Sequence, residues 1–186
     1  MIDLTSKVLP NTVMVGGRAF RVNTDYRIWL RFRIEFEKFQ MNGMKGELDI
    51  SYLFTDDLPV FQCIEDYDSI FRFALPVSVL PRNTSSSSRV LDYEIDSDYI
   101  YSAFLETYGI DLIDTKELHW HKFNALLHGL STKLSDIMGY RSYTGEKIKD
   151  QDEVYRRLKD AWELPEQITE EERKEEEEFN RFFEKK

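Results

Sequence analysis

All three histidines of the chain lie in one short stretch, residues 117–130, together with one of its three tryptophans. Imidazole and carboxylate side chains at close helical spacing can hold zinc. Glu117 and His121 are four residues apart and His128 follows seven later, so these three could share one helix face. His119 and His121 are two apart, which on a helix turns them roughly 200° away from each other. Because the set lacks both the HExxH order and a cysteine, we predict no metal site here.

The same stretch is better interpreted as a packed helix over residues 115–128 with imidazoles at its rim. Asp114 and Glu117 have the spacing of a capping box at its start. We expect the structural core to contain these side chains: Trp120, Phe123, Leu126, Leu127, Tyr99 and Phe104. The sequence has no nucleophile elbow, GxGxxG or GxxxxGK[ST] motif, and the carboxylates at 56–57, 92 and 94 are interpreted as loop and cap residues. We therefore predict no enzymatic activity, no catalytic residue and no cofactor.

Composition restricts the partners. A net charge of -10 disfavours nucleic-acid binding, which needs clustered Lys and Arg. No run approaches the roughly 18 apolar residues of a membrane span, and the N-terminus lacks the apolar run of a signal peptide, so we expect a soluble, cytoplasmic protein. The single cysteine, Cys63, lies in an apolar-patterned segment with Val60, Phe61 and Ile64, which favours a buried, inert thiol.

The elements that would position these residues are mostly helices. A β-hairpin is predicted over 12–22 around Gly16–Gly17, since glycine supplies the positive φ of a tight turn. Hydrophobic spacing and capping residues predict the following helices: 26–41, 47–54, 60–75, 98–108 closed by Gly109, 132–138, one started by Asp150 and Glu153 with Val154, Leu158, Ala161 and Trp162 on one face, and one started by Thr169 and Glu172. The predicted fold class is mainly α, a compact helical domain with an N-terminal β-hairpin and an acidic C-terminal helix.

The predicted organisation is a single helical domain over residues 1–165 and an acidic helix or tail over 166–186. The serine-rich stretch 81–90 is interpreted as a mobile loop within that domain, with a two-domain split as the alternative. The tail ends in Phe179, Phe182 and Phe183, whose spacing predicts one aromatic helix face. Such a face either folds back on the body or binds another protein, and it is our first candidate for partner binding.

The helix 26–41 supplies the second candidate for partner binding, through Trp29 and Phe36. These rings recur at helical spacing, so either the core or a partner could cover them.

Several motifs resemble a known family. NTDYRIW (23–29) after a hairpin is similar to the entry of the first helix of phage tail assembly chaperones. DYIYSAFLETYGIDL (98–112), LHWHKFNALLHGL (118–130) and IMGYRS (137–142) resemble the bacteriophage "gene product fifteen" family. The resemblance covers residues 10–165, and it departs at His121, where the family pattern has a tryptophan.

The resemblance implies a helper in phage or prophage tail assembly that binds the long, helical tape measure protein and recruits major tail protein subunits. Such a helper acts in the cytoplasm of the bacterial host and is absent from mature virions. It brings no catalytic or cofactor residues, and an oligomer is compatible with it. The alternatives are a structural component retained in the tail or neck, separable by mass spectrometry of particles, and a metal enzyme, separable by elemental analysis.

Overall fold

The computed structural model describes residues 2–75, 89–145, 149–166, 168–169 and 172–174. The two strands are β1 (Thr12–Val15) and β2 (Arg18–Arg21). The α-helices are α1 (Tyr26–Met41), α2 (Asp68–Ala74), α3 (Ser97–Tyr108), α4 (Trp120–His128), α5 (Lys133–Arg141) and α6 (Lys149–Trp162). Single 3₁₀ turns cover Ser51–Leu53 and Ile64–Tyr67. The mainly α fold with an N-terminal hairpin is thus confirmed.

The hairpin turns where predicted. Gly16 and Gly17 have φ values of 54° and 78°, in the region that a two-residue turn between antiparallel strands requires. Along β1 the exposed residues alternate with the buried Val13 and Val15. One face of the hairpin therefore joins the core and the other faces outward.

Helix α1 has the predicted bounds. The Asp25 carboxylate accepts the N–H of Arg27 at 2.8 Å, which satisfies one of the free amides of the first turn. Gly43, with φ 67°, lies just beyond the end of the helix. The helix buries one face, which carries Tyr26, Trp29 and Phe32.

The chain between α1 and α2 is less helical than predicted. The expected helix 47–54 is a single 3₁₀ turn, and the expected helix 60–75 is a 3₁₀ turn followed by the shorter α2. The Asp66 carboxylate accepts the N–H of Gln62 at 2.8 Å and that of Gly16 at 3.2 Å. This bridge to the hairpin turn holds residues 60–63 in a non-helical path, which local spacing could not indicate.

The expectation of a buried thiol is wrong, because Cys63 is exposed. The apolar residues that suggested burial, Val60 and Ile64, are themselves 78% and 77% exposed. A side-chain hydrogen bond with Glu65 raises the pKa of the Cys63 thiol. The apolar pattern around Cys63 therefore marks a surface.

Helix α3 begins after Asp96 and ends at Gly109, whose φ is 64°. Asp96 stands at the N-cap position, but its side chain makes no capping hydrogen bond to the helix. Its carboxylate instead binds the Arg141 guanidinium through two contacts of 2.6 and 3.0 Å. Arg141 also donates to the carbonyls of Val90 at 3.1 Å and Trp162 at 2.6 Å. This buried pair joins α3, α5 and the end of α6.

Helix α4 begins at Trp120, five residues later than predicted, and the capping box of Asp114 and Glu117 does not form. The Asp111 carboxylate accepts the N–H groups of Ile113 and Asp114, which favours a turn there.

The Arg27 guanidinium holds the same loop from the other side. It donates to the carbonyl oxygens of Leu112, Ile113 and Thr115 at 2.8, 3.2 and 2.9 Å. These carbonyls point at α1 and are not free to begin a helix.

Helix α6 packs on α5 through other residues than predicted. Val154 is 55% exposed and Ala161 is exposed, so the predicted face is wrong in part. The contacts come from Tyr155, whose ring lies 6.1 Å from that of Tyr140 on α5, and from Trp162, which lies under the Lys133 ammonium. The predicted cap at Asp150 is also wrong, since α6 already includes Lys149. Helix α5 extends three residues beyond the predicted end of 132–138.

One hydrophobic core contains most of the predicted core residues. Trp120, Phe104, Phe123 and Leu127 are buried in it, and Leu126 and Tyr99 are partly buried against it. Stacked rings connect the helices: Tyr26 on Phe123 at 4.8 Å and Phe104 on Phe123 at 5.0 Å. The core thus forms where α1, α3 and α4 meet.

The capping box at Thr169 is confirmed, since Thr169 and Glu172 exchange hydrogen bonds of 2.7 and 3.2 Å. Most of the predicted loop 81–90, through residue 88, lies outside the described residues. So do residues 175–186, with Phe179, Phe182 and Phe183. None of the helices in the described ranges is long and apolar enough to cross a membrane.

Candidate functional site

The histidine segment begins with a capping residue. His119 stands at the N-cap of α4, and its Nδ1 accepts the backbone N–H of His121 at 3.0 Å. Its Nε2 lies 2.9 Å from the Pro10 carbonyl oxygen, to which it donates. Burial lowers the pKa of His119, so the neutral ring is favoured. Both ring nitrogens of His119 are therefore used to hold the chain.

His121 is buried, with only 5% of its surface exposed. Its Nε2 lies 3.2 Å from the Phe73 carbonyl oxygen, and its ring packs 4.6 Å from the Phe73 ring. Among the residues that the structure describes, none forms a hydrogen bond with its buried Nδ1. Burial lowers the pKa of His121 to about 4, because the charged imidazolium would lose hydration in this buried position.

Trp120 completes the contact with α2. Its indole N–H lies 3.2 Å from the carbonyl oxygens of both Phe73 and Ala74. These carbonyls belong to the last turn of α2, where a helix leaves acceptors without internal partners. Trp120 and His121 thus cap the C-terminal end of α2.

The structure does not assemble the candidate metal set. Among the described residues, no group of three or more His, Cys, Asp or Glu side chains could hold a metal ion. Glu117 and His128 are exposed, whereas His121 points into the core. The expectation that His119 and His121 point away from each other is wrong: His119 precedes the helix and the two ring centroids lie 5.2 Å apart.

An open groove of about 720 Å³ lies beside His119. It runs between residues 7–11, the start of α1 and the start of α4, and its lining includes Lys7, Lys116 and Lys122. The groove is polar and carries mixed charge, since Asp25 and Glu117 line it together with these lysines.

The predicted contact residues on α1 are covered. Trp29 is fully buried, with its indole N–H donating to the Asn23 carbonyl, so it offers no surface to a partner. Phe36 is half-buried, and its ring packs against Phe32 at 5.8 Å and Phe71 at 4.9 Å. From the sequence, either the core or a partner could cover this aromatic stripe of α1. In the structure the stripe packs against other parts of the same chain.

The structure reveals an apolar surface that sequence reasoning missed. Leu58, Val60 and Ile64 are 55%, 78% and 77% exposed, and Met14 on β1 is 53% exposed. We call these four residues the apolar face. The Ser69 hydroxyl donates to the Met14 carbonyl, which ties β1 to the helix that follows this segment. The sequence contained a signal for this exposed surface. Residues 56–68 include five Asp or Glu and no Lys or Arg, and this acidic composition indicates that the apolar residues among them lie at the surface.

The match to known families covers most of the chain. The family described as Bacteriophage Gp15 protein matches residues 5–164, so this protein belongs to the bacteriophage Gp15 family. Comparison with curated proteins and comparison with solved structures each find no match. The family resemblance predicted from the motifs is confirmed.

Proposed function

We propose that this protein is a non-enzymatic tail assembly chaperone of a long-tailed phage or prophage. It binds the tape measure protein and recruits major tail protein subunits to it. In this proposal it acts in the cytoplasm of the bacterial host, leaves before the virion is complete, and binds neither nucleic acid nor membrane.

The observation that carries the proposal is the apolar face on a strongly acidic protein. Val60 and Ile64 each leave more than three quarters of their surface open to water, and Asp56, Asp57 and Glu65 are exposed close to them in the chain. A protein that shields aggregation-prone helices needs apolar surface to engage them and net charge to keep the complex in solution. Family membership supports the phage context in which such a client exists.

The roles of the histidines support a binding protein over an enzyme. His119 caps α4, and His121 and Trp120 cap α2, so each described polar contact of these side chains is structural. The features that first suggested chemistry are accounted for by the fold.

Co-expression with the tape measure protein encoded in the same tail gene module tests the proposal. We expect the tape measure protein to move from the pellet to the supernatant and to co-purify with this protein. An unrelated acidic protein of similar size serves as the control and should leave it in the pellet. No gain in tape measure solubility together with no co-purification would refute the proposal.

A further inference from the structure

Residues 58–61 have an unusual arrangement for a surface segment. Pro59 is buried and Phe61 is partly buried, with its ring 4.3 Å from that of Tyr67, while Leu58 and Val60 point outward. An extended segment alternates its side chains between two faces, and on a solvent-facing side polar residues are expected. Here both sides are apolar. The inner side, with Pro59 and Phe61, packs against the core, whereas no element among the described residues covers the outer side, with Leu58 and Val60.

The chain segment that supplies Leu58, Val60 and Ile64 carries charge of one sign. Residues 56–68 carry Asp56, Asp57, Glu65, Asp66 and Asp68 and no basic residue. None of these carboxylates forms an ion pair within the described part of the chain. By contrast, α1 and α6 each carry two ion pairs between a carboxylate and a basic residue four positions away. The Asp66 carboxylate already accepts backbone N–H groups, so it is the other carboxylates of this stretch that favour a partner of opposite charge.

Hydrogen bonds connect the same region to the hairpin. The Asp66 carboxylate binds the Gly16 N–H at 3.2 Å and the Gln62 N–H at 2.8 Å, which locks the segment against the hairpin turn. Ser69 holds Met14 from the other end. A preformed surface loses little conformational entropy on binding, which favours a docking role.

We infer that the apolar face, formed by Met14, Leu58, Val60 and Ile64, docks a cationic amphipathic segment of another polypeptide. The apolar residues of that segment cover the face, and its Lys or Arg residues pair with the surrounding carboxylates. The identification of that polypeptide as the tape measure protein rests on the proposed function. The docking of a cationic amphipathic segment on the apolar face does not depend on the proposed function.

The native Cys63 provides the test, since it is exposed next to Ile64 and is the only cysteine of the chain. A photo-crosslinker is attached to Cys63, and the full chain is mixed with a synthetic amphipathic helical peptide of Leu and Lys. A matched peptide has Glu in place of Lys. We expect crosslinking to the Lys peptide and little to the Glu peptide. The same crosslinker on Ile113→Cys in a Cys63→Ser background, at a 76% exposed site in another loop, should not capture the Lys peptide.

Substitutions separate docking from general attraction to an acidic protein. Val60→Asp with Ile64→Asp adds two negative charges, so unspecific attraction of the Lys peptide would strengthen. Docking on the apolar face instead predicts at least about tenfold weaker binding by calorimetry, which corresponds to about 1.4 kcal/mol. Ile113→Asp should bind as the wild type does. Equal binding of the two peptides, or unchanged or tighter binding by the double variant, would overturn the inference.

The tape measure protein supplies an independent outcome. If it co-purifies with the wild type but not with the Val60→Asp, Ile64→Asp variant, both proposals stand. If it still co-purifies with that variant, the proposed function stands and this surface is the wrong one. If the Lys peptide docks but the tape measure protein does not co-purify, the face stands and the proposed function fails.

Discussion

The buried imidazole of His121 makes the stability of this protein dependent on pH. In the folded chain burial lowers its pKa to about 4, whereas an unfolded chain has a histidine pKa of about 6.5. A group with a lowered folded pKa contributes stability above the unfolded value, and that stability is lost as the pH falls towards the folded value. The full effect is about 3 kcal/mol, of which about 2 kcal/mol is lost between about pH 7 and about pH 5.

The perturbation that isolates this effect is His121→Phe. Phenylalanine keeps the ring packing on Phe73 and removes both the donated hydrogen bond and the unpartnered Nδ1. Trp120 still donates to the Phe73 carbonyl. At about pH 7 the free energy of unfolding of the variant should therefore lie within about 1 kcal/mol of the wild-type value. At about pH 5 it should be the more stable protein, by about 2 kcal/mol.

Urea unfolding followed by tryptophan fluorescence at the two pH values measures this difference. Carboxylates titrate in both proteins, so they cancel in the comparison. His128→Gln, which removes an exposed imidazole at the end of α4, serves as the control and should leave the wild-type pH dependence in place. A His121→Phe variant that loses as much stability as the wild type on acidification would refute the reasoning.

Three further predictions follow from other contacts. Arg141→Met leaves the buried Asp96 carboxylate unpaired and should lower the free energy of unfolding by about 3–5 kcal/mol, measured by urea unfolding. Arg157→Met removes an exposed ion pair and should lower it by under about 1 kcal/mol in the same assay. Gly109→Ala places a side chain at φ 64° and should lower the unfolding free energy by about 1 kcal/mol; an unchanged value would contradict the strain argument. Cys63 should react fully with a thiol reagent in the native protein, with a rate midpoint above the ordinary thiol pKa, and protection from the reagent would contradict its exposure.

Local signals predicted α1 and the turns well. The bounds 26–41 follow from the Asp25 cap and the aromatic spacing, and the hairpin follows from two adjacent glycines. Gly109 marks the end of α3 for the same local reason. Where residues within one turn of each other decide the structure, the sequence was sufficient.

Contacts between distant residues explain what the sequence could not predict. The Asp66 carboxylate binds the hairpin turn, fifty residues away in the chain, and this contact prevents a long helix around Asp66. Arg27 binds carbonyl oxygens that lie 85 to 88 residues further along the chain, and these contacts shift the start of α4 to a later residue. The pairing of Arg141 with Asp96 is separated by 45 residues. No local pattern indicates such partners.

The burial of Trp29, one of the candidate contact residues, could not be predicted for a related reason. Helical spacing shows that Trp29 and Phe36 share a stripe, but the same stripe suits a core and an interface equally. The apolar face was hidden because Val60 and Ile64 were interpreted as evidence of burial, and only the packing of Pro59 and Phe61 shows which side of the segment is inside.

The most direct test of the account is the copy number of this protein in purified particles, measured by quantitative mass spectrometry against the major tail and tape measure proteins. The same cells should yield complexes with the tape measure protein before tails are complete. We predict that the protein is abundant in those complexes and absent or strongly substoichiometric in finished particles. A fixed, stoichiometric copy number in finished particles would contradict the account and make the protein a structural component of the tail or neck.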